Sequence, residues 1–233
     1  MSNSKHVQII SCGPGLGEIN DSYGRSFDWV SSMIEGKVGS VEVIKVYDGQ
    51  LPSFEPGTVW IVTGSRYSVY DDIGWILSFR DAIKKGLSLN IPMLGICFGH
   101  QIICDALGAN VVKNSMGWEI GSSDVSLTEK GRESNLFNEF ESVFSVYQSH
   151  QDIVKDVPDN VDVLAQNKYG VQSVSFNEIV FGVQFHPEFS FDVMEAYYSI
   201  RIKKIDSKEK HFVSNQNDGV KVVNNFINTI SRR

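Results

Sequence analysis

The chain has 233 residues, 42 % hydrophobic and 21 % charged, a composition that predicts a single α/β domain spanning 1–233 with a sizeable core. A net charge of −7 and the lack of any lysine- or arginine-rich block argue against nucleic-acid binding. The opening MSNSKHVQII has no signal-peptide core, no apolar run nears the ~20 residues of a membrane helix, and three cysteines without framework spacing suit a reducing compartment. A soluble, cytoplasmic protein with no membrane association is expected.

Short β-branched runs alternate with longer polar stretches through the first half. HVQIIS (6–11), VEVIKVY (41–47), TVWIVTG (58–64) and IPMLGI (91–96) read as strands, with helical spacing over 22–36 and 72–86. Apolar strands separated by helices predict a mostly parallel sheet covered on both faces. After IPMLGI, FGHQIICDAL reads as a helix ending at Gly108. The second half changes character. WEIGSSDVSLTE, SVFSVYQSH, VDVLAQN, GVQSVSF and IVFGVQFH follow one another over short turns, predicting an antiparallel section. Helical spacing returns at 190–205; the polar 206–219 reads as a surface loop and 220–230 as a closing helix. No repeat or linker divides the chain.

The glycine-rich CGPGLGE (12–18) follows the first strand, where a dinucleotide fingerprint would sit. Glu18 stands where GxGxxG needs its third glycine, and its charge would repel a pyrophosphate, so a plain loop is the better reading. No GxxxxGK[ST] occurs, and no cofactor or metal is expected.

The stretch LGICFGHQ (94–101) places Cys97 at a strand-to-helix turn between Gly95 and Gly99. A sharp turn there needs small neighbours and leaves the sulfur exposed at the sheet edge, while the positive end of the following helix favours thiolate. Cys97 is therefore the candidate nucleophile. Cys104, two turns further along, and Cys12 read as packing residues.

Two histidines compete as its base. His100 lies on the first helical turn, where the dipole disfavours the imidazolium that a cysteine's partner must become. FGVQFHPEFS (181–190) offers His186 and Glu188, two apart and on one side of an extended backbone, with Pro187 suited to an open sheet edge. Glu188 can then orient one ring nitrogen of His186 while the other faces Cys97. His186 is the expected base.

These residues resemble the class I glutamine amidotransferases. The family pattern G-x-C-x-G-x-Q is matched by Gly95, Cys97, Gly99 and Gln101, and Q-F-H-P-E by residues 184–188. The stretches VTGSRYSVYDD (62–72), NSMGWEIG (114–121) and YQSHQD (147–152) resemble the short branch akin to the GMP synthase glutaminase part and to γ-glutamyl peptidases. The resemblance implies a flavodoxin-like fold, with Cys97 as nucleophile, His186 as base and Glu188 as orienting acid. It further implies an oxyanion hole from the backbone N–H groups of Gly64 and Phe98, and substrate contacts at Gln101, Ser149 and His150. Glutamine or a γ-glutamyl compound is the implied small-molecule substrate, and a synthetase the implied partner protein where ammonia is handed on. Three readings follow: an ammonia-supplying glutaminase, a self-sufficient γ-glutamyl hydrolase with the aromatic stretch 67–70 walling a larger leaving group, and a catalytically silent binding module.

Overall fold

The computed structural model describes residues 5–205 and 211–232. The first half holds β1 (His6–Ser11), α1 (Gly17–Tyr23), α2 (Ser26–Ile34), β2 (Ser40–Lys45), β3 (Thr58–Val62), α3 (Gly74–Ser88), β4 (Met93–Ile96) and α4 (Phe98–Ala106). There follow β5 (Asn110–Lys113), β6 (Glu119–Leu127), α5 (Glu129–Glu133), β7 (Val143–His150), β8 (Asp152–Asp156), β9 (Asp162–Asn167), β10 (Gly170–Ser175) and β11 (Val180–Val183). The helices α6 (Phe191–Arg201) and α7 (Lys221–Ser231) complete the chain. No helix among the described residues is long and apolar enough to cross a membrane.

One nine-stranded sheet runs in the order β2-β1-β3-β4-β11-β10-β9-β6-β7. The strands β2, β1, β3, β4 and β11 are mutually parallel, and the rest run antiparallel. Alternation divides each central strand between two cores. Val7, Ile9, Val59, Ile61, Leu94 and Ile96 face one core with α2 and α7, while Ile10, Trp60, Val62 and Met93 face the other with α3 and α4.

The structure differs from the sequence reading in four places. The helix expected over 22–36 begins only at Ser26, residues 22 and 23 being the end of α1, because Gly24 turns at φ +79° and the Asp28 carboxylate accepts the Arg25 N–H at 2.9 Å, starting α2 afresh. The second strand stops at Lys45, whose N–H is taken by the Gln50 side chain at 2.6 Å before a left-handed Gly49. The stretch IVFGVQFH does not simply end the antiparallel run: β11 pairs parallel with β4 on one edge and antiparallel with β10 on the other. Being covered on both faces, it needs the continuous apolar sequence that it has. Finally, β5 and β8 pair in a small separate sheet that the sequence did not signal.

The predicted surface loop 206–219 lies partly outside the described residues. From 211 to 217 it has no regular element, yet it is tied to the sheet. Phe212 O accepts the Ser122 N–H at 2.8 Å, Ser214 N–H donates to Ser122 Oγ at 2.9 Å, and Tyr147 donates its hydroxyl to Ser214 O at 2.8 Å. Residues 218–220 form a short 3-10 turn.

Glycines set how closely α4 approaches the sheet. A Cβ on Gly95 would lie 2.4 Å from the Gly99 carbonyl, and one on Gly99 would lie 2.2 Å from Val62 O, both backbone atoms that cannot rotate away. Gly182 is the register partner of Gly95 and leaves the space that the His100 ring occupies. Gly99→Ala should therefore destabilise the fold by about 3 kcal/mol in denaturant unfolding. Gly74→Ala, at an open helix start with no neighbour within 4 Å, should be neutral or stabilising by about 0.5 kcal/mol. Equal effects at the two positions would show that α4 is not held by this close approach.

Candidate active site

Cys97 caps α4 at the end of β4 with φ 52° and ψ −103°, a left-handed conformation seldom adopted by a residue with a side chain. Its N–H donates to Val183 O at 2.8 Å, so the turn is anchored to the neighbouring parallel strand. The same strand, three residues on, brings in His186. The His186 ring lies beside Cys97 on one side, both lining one cleft. On the other, its Nδ1 lies 2.8 Å from Glu188 Oε1, and both side chains are buried. The ring also stacks on Phe189 at 4.0 Å between centroids, Phe189 stacks in turn on Tyr197, and Trp29 meets Phe189 edge-on. Its backbone is pinned at both ends. The N–H donates to Tyr147 O at 2.9 Å, and the carbonyl accepts from the Asn217 amide at 3.1 Å. Asn217 comes from the segment expected to be a plain surface loop, and no local sequence signal marks it.

Gly64 packs directly over the pair. A Cβ there would sit 3.1 Å from His186 Cε1 and 3.6 Å from Cys97 Cβ. Phe98 opens α4, so its N–H belongs to the first-turn donors that a helix cannot satisfy internally. Gln101 is buried, its amide donating to Asp152 O at 2.9 Å and to Gln184 Oε1 at 3.0 Å. The Ser149 hydroxyl is buried and has no hydrogen-bond partner. His150 turns its ring into a buried network: Nδ1 faces Asp152 O and Nε2 faces Glu119 Oε2, each at 3.0 Å, while Asn167 and Gln172 donate to the same carboxylate. His100 is fully buried beside Cys104, with 3.7 Å between Nδ1 and sulfur.

A two-lobed cleft meets at Cys97. One lobe is lined by Gly13, Leu16, Asn20 and Tyr197 together with His186 and Glu188. The other is lined by Tyr67, Gln101, Trp118, His150 and Asp152. Ser65, Arg66, Ser149 and Arg201 belong to both. The glycine-rich stretch read as a plain loop thus walls the cleft. The aromatic stretch 67–70 divides: Tyr67 lines the Gln101 lobe, and Tyr70 donates its hydroxyl to Asp152 at 2.9 Å.

A turn of this kind, with a cysteine, a paired histidine and an acid at the carboxyl ends of parallel strands, suits acyl transfer. The sequence profile of glutamine amidotransferase class I matches residues 64–202. This chain belongs to that family. A glutamine amidotransferase-like protein of Schizosaccharomyces pombe is 30 % identical over 211 residues, covering 84 % of each chain. The γ-glutamyl peptidase 4 of Arabidopsis thaliana is 27 % identical over 200 residues, covering 83 % of this chain and 80 % of that protein. The crystal structure of a glutamine amidotransferase from Thermotoga maritima superposes with a TM-score of 0.73 at 22 % identity, covering 98 % and 97 % of the two chains, and so shares the class I amidotransferase fold.

Within this class I amidotransferase, the two histidines near the elbow have opposite electrostatics. His100 is pushed down to about 3, first by burial and then by the charge of His150, so it stays neutral. Burial alone would also lower His186. The charges of the Glu188 carboxylate, hydrogen-bonded to the ring, and of the nearby Cys97 sulfur more than offset that and raise it to about 10.

His186 therefore holds a proton in the folded protein that it loses near its ordinary value of 6.5 when unfolded. The stability this contributes is present in full below about pH 6.5 and is lost as pH rises from there through about 10. Guanidinium unfolding of the wild type and of His186→Gln should show a difference that shrinks steadily from about pH 6 to about pH 10. A constant difference would mean that the folded ring is neutral.

Proposed function

We propose that this protein is a glutamine amidotransferase-type hydrolase that cleaves the γ-glutamyl C–N bond of glutamine or a γ-glutamyl compound through a thioester on Cys97. The observation that carries this reading is the imidazole of His186 set beside Cys97 in the cleft and held at 2.8 Å by Glu188. The Cys97 thiolate attacks the γ-carbonyl carbon, and the developing oxyanion is met by the backbone N–H groups of Gly64 and Phe98. Protonated His186 delivers its proton to the leaving nitrogen as the C–N bond breaks, leaving a γ-glutamyl thioester and a neutral imidazole. That imidazole then takes a proton from water, whose oxygen attacks the thioester; glutamate leaves and the thiolate–imidazolium pair is restored. Glu188 holds the ring orientation and stabilises its charge throughout, without touching substrate. Gln101, Ser149 and His150 shape the pocket for the γ-glutamyl group.

Two versions of this chemistry differ in the leaving group. A glutaminase hands ammonia to a synthetase partner, whereas a self-sufficient hydrolase releases an amine or peptide. The likeness to an Arabidopsis γ-glutamyl peptidase over 80 % of that protein's length supports the self-sufficient version.

Purified protein, tested alone against glutamine and a panel of γ-glutamyl peptides and amines, should turn over at least one donor. Cys97→Ala should lower kcat by at least about 10⁴-fold. Mass spectrometry should trap the acyl adduct on Cys97 in the wild type and not in His186→Ala. Unchanged hydrolysis by Cys97→Ala would overturn the chemistry. Activity that appears only on adding a synthetase would favour the ammonia-supplying version.

A further inference from the structure

The turn that carries the base is not closed by its own backbone. Pro187 has no N–H to give, and among the described residues no backbone hydrogen bond runs across 186–189. A side chain from beyond the family-matched segment 64–202 closes it instead. The Asn217 amide nitrogen donates to His186 O at 3.1 Å and to Phe189 O at 3.3 Å, while its amide oxygen accepts the Gly219 N–H at 3.2 Å. With two carbonyls at one end and an N–H at the other, only one orientation of the amide satisfies all three partners. Asn217 is itself held to the sheet from both sides. Before it, Ser214 O accepts the Tyr147 hydroxyl at 2.8 Å, and Gly121, at φ +93°, leaves the space that Phe212 O fills. After it, the Asp218 carboxylate accepts the Ser145 N–H at 3.0 Å, and Gly219 packs on the Phe185 ring, where a Cβ would lie only 2.9 Å away.

We propose that Asn217 is a positioning residue for the base: by clamping both ends of the 186–189 turn to the β6–β7 end of the sheet, it fixes the His186 ring between Cys97 and Glu188. The two carbonyls it holds belong to the base and to Phe189, on which the base stacks at 4.0 Å, so one amide sets both planes of the stack. Glu188 lies between them in the chain, and its 2.8 Å contact with His186 Nδ1 would be lost on a shift of about 1 Å. A misplacement of that size in a catalytic group costs up to about a hundredfold in rate. Asn217 is not among the residues lining either lobe of the cleft, so its effect runs through the turn alone. The role of His186 as base rests on the proposed hydrolase reading; the clamp on its ring does not.

The test compares Asn217→Leu with Asn225→Leu. The Asn225 amide makes the same kind of bridge, to Leu136 O at 3.0 Å and Asn138 O at 2.9 Å, and lines neither lobe, so it measures what losing such a clamp costs the fold. Each variant is assayed, below its unfolding temperature, on the γ-glutamyl donor that the wild type turns over fastest, and its His186 ring is titrated by imidazole NMR. Asn217→Leu should lower kcat by about ten- to a hundredfold with KM within about threefold of wild type. The midpoint of His186, about 10 in the wild type, should fall by about one pH unit as the ring loses the Glu188 carboxylate. Asn225→Leu should leave kcat and midpoint unchanged at a similar loss of Tm. Asn217→Ser, which keeps an acceptor for the Gly219 N–H and gives up the two carbonyls, should behave like Asn217→Leu and carries the test if the leucine variant does not fold. Wild-type kcat in the Asn217 variants, equal losses of kcat at Asn217 and Asn225, or a raised KM at wild-type kcat would each overturn the proposal. If the wild type cleaves no donor, the hydrolase reading falls and the midpoint alone decides the clamp: an unchanged value in the Asn217 variants overturns it.

Discussion

The first turn of α4 lies against the sheet with no side chain between them, and the cleft depends on that contact. Gly99 touches the carbonyl of Val62 and Gly95 faces the Gly99 backbone, so the helix axis comes in closer than any Cβ would allow. The chain can make that approach only by turning sharply where strand becomes helix, and the residue at the turn, Cys97, takes up a positive φ. Tight packing thus stores backbone strain at the cysteine where the two lobes meet. The same approach puts His100 into the core behind the elbow, where Gly182 makes room for it. Two histidines near one cysteine consequently have unlike fates: one sealed and neutral, the other stacked, paired and charged.

The antiparallel half supplies the support that this arrangement needs. Tyr147 on β7 and Asn217 from the irregular segment before α7 hold the two ends of the His186 peptide. Ser149 holds the guanidinium of Arg201, while Glu119, Gln172 and Asn167 enclose His150. Buried polar groups of this kind are expensive when left single and rigid when satisfied, so the network fixes the walls of the cleft before any ligand arrives. Among the groups left unsatisfied, the Ser149 hydroxyl and one Glu188 oxygen belong to residues that line the lobes.

Much of this was legible in the chain. The β-branched runs gave four parallel strands, and the glycines flanking Cys97 marked a turn that only small residues permit. The two-residue spacing of His186 and Glu188 put both on one side of an extended segment. These are local features, decided by sterics and by side-chain period within a few residues. Hidden from the sequence were the break at Gly24 within 22–36, the small β5–β8 sheet and the pairing of β11 with β4.

Each hidden feature depends on a contact between residues far apart in the chain. The strand β11 looks like its antiparallel predecessors until β4 is found on its other edge. The segment 13–20 reads as a loop because nothing local says that a cleft lies beside it. Arg201 reads as an ordinary basic residue at a helix end, and only folding sets it beside Trp118 and Tyr197. The sequence by itself determined the strands of the parallel core, the elbow and the identity of the residues around it, because backbone sterics and side-chain alternation act over short distances. Tertiary structure alone decided which distant groups share the low-dielectric cleft, because burial and pairing energies exist only once the chain has closed on itself.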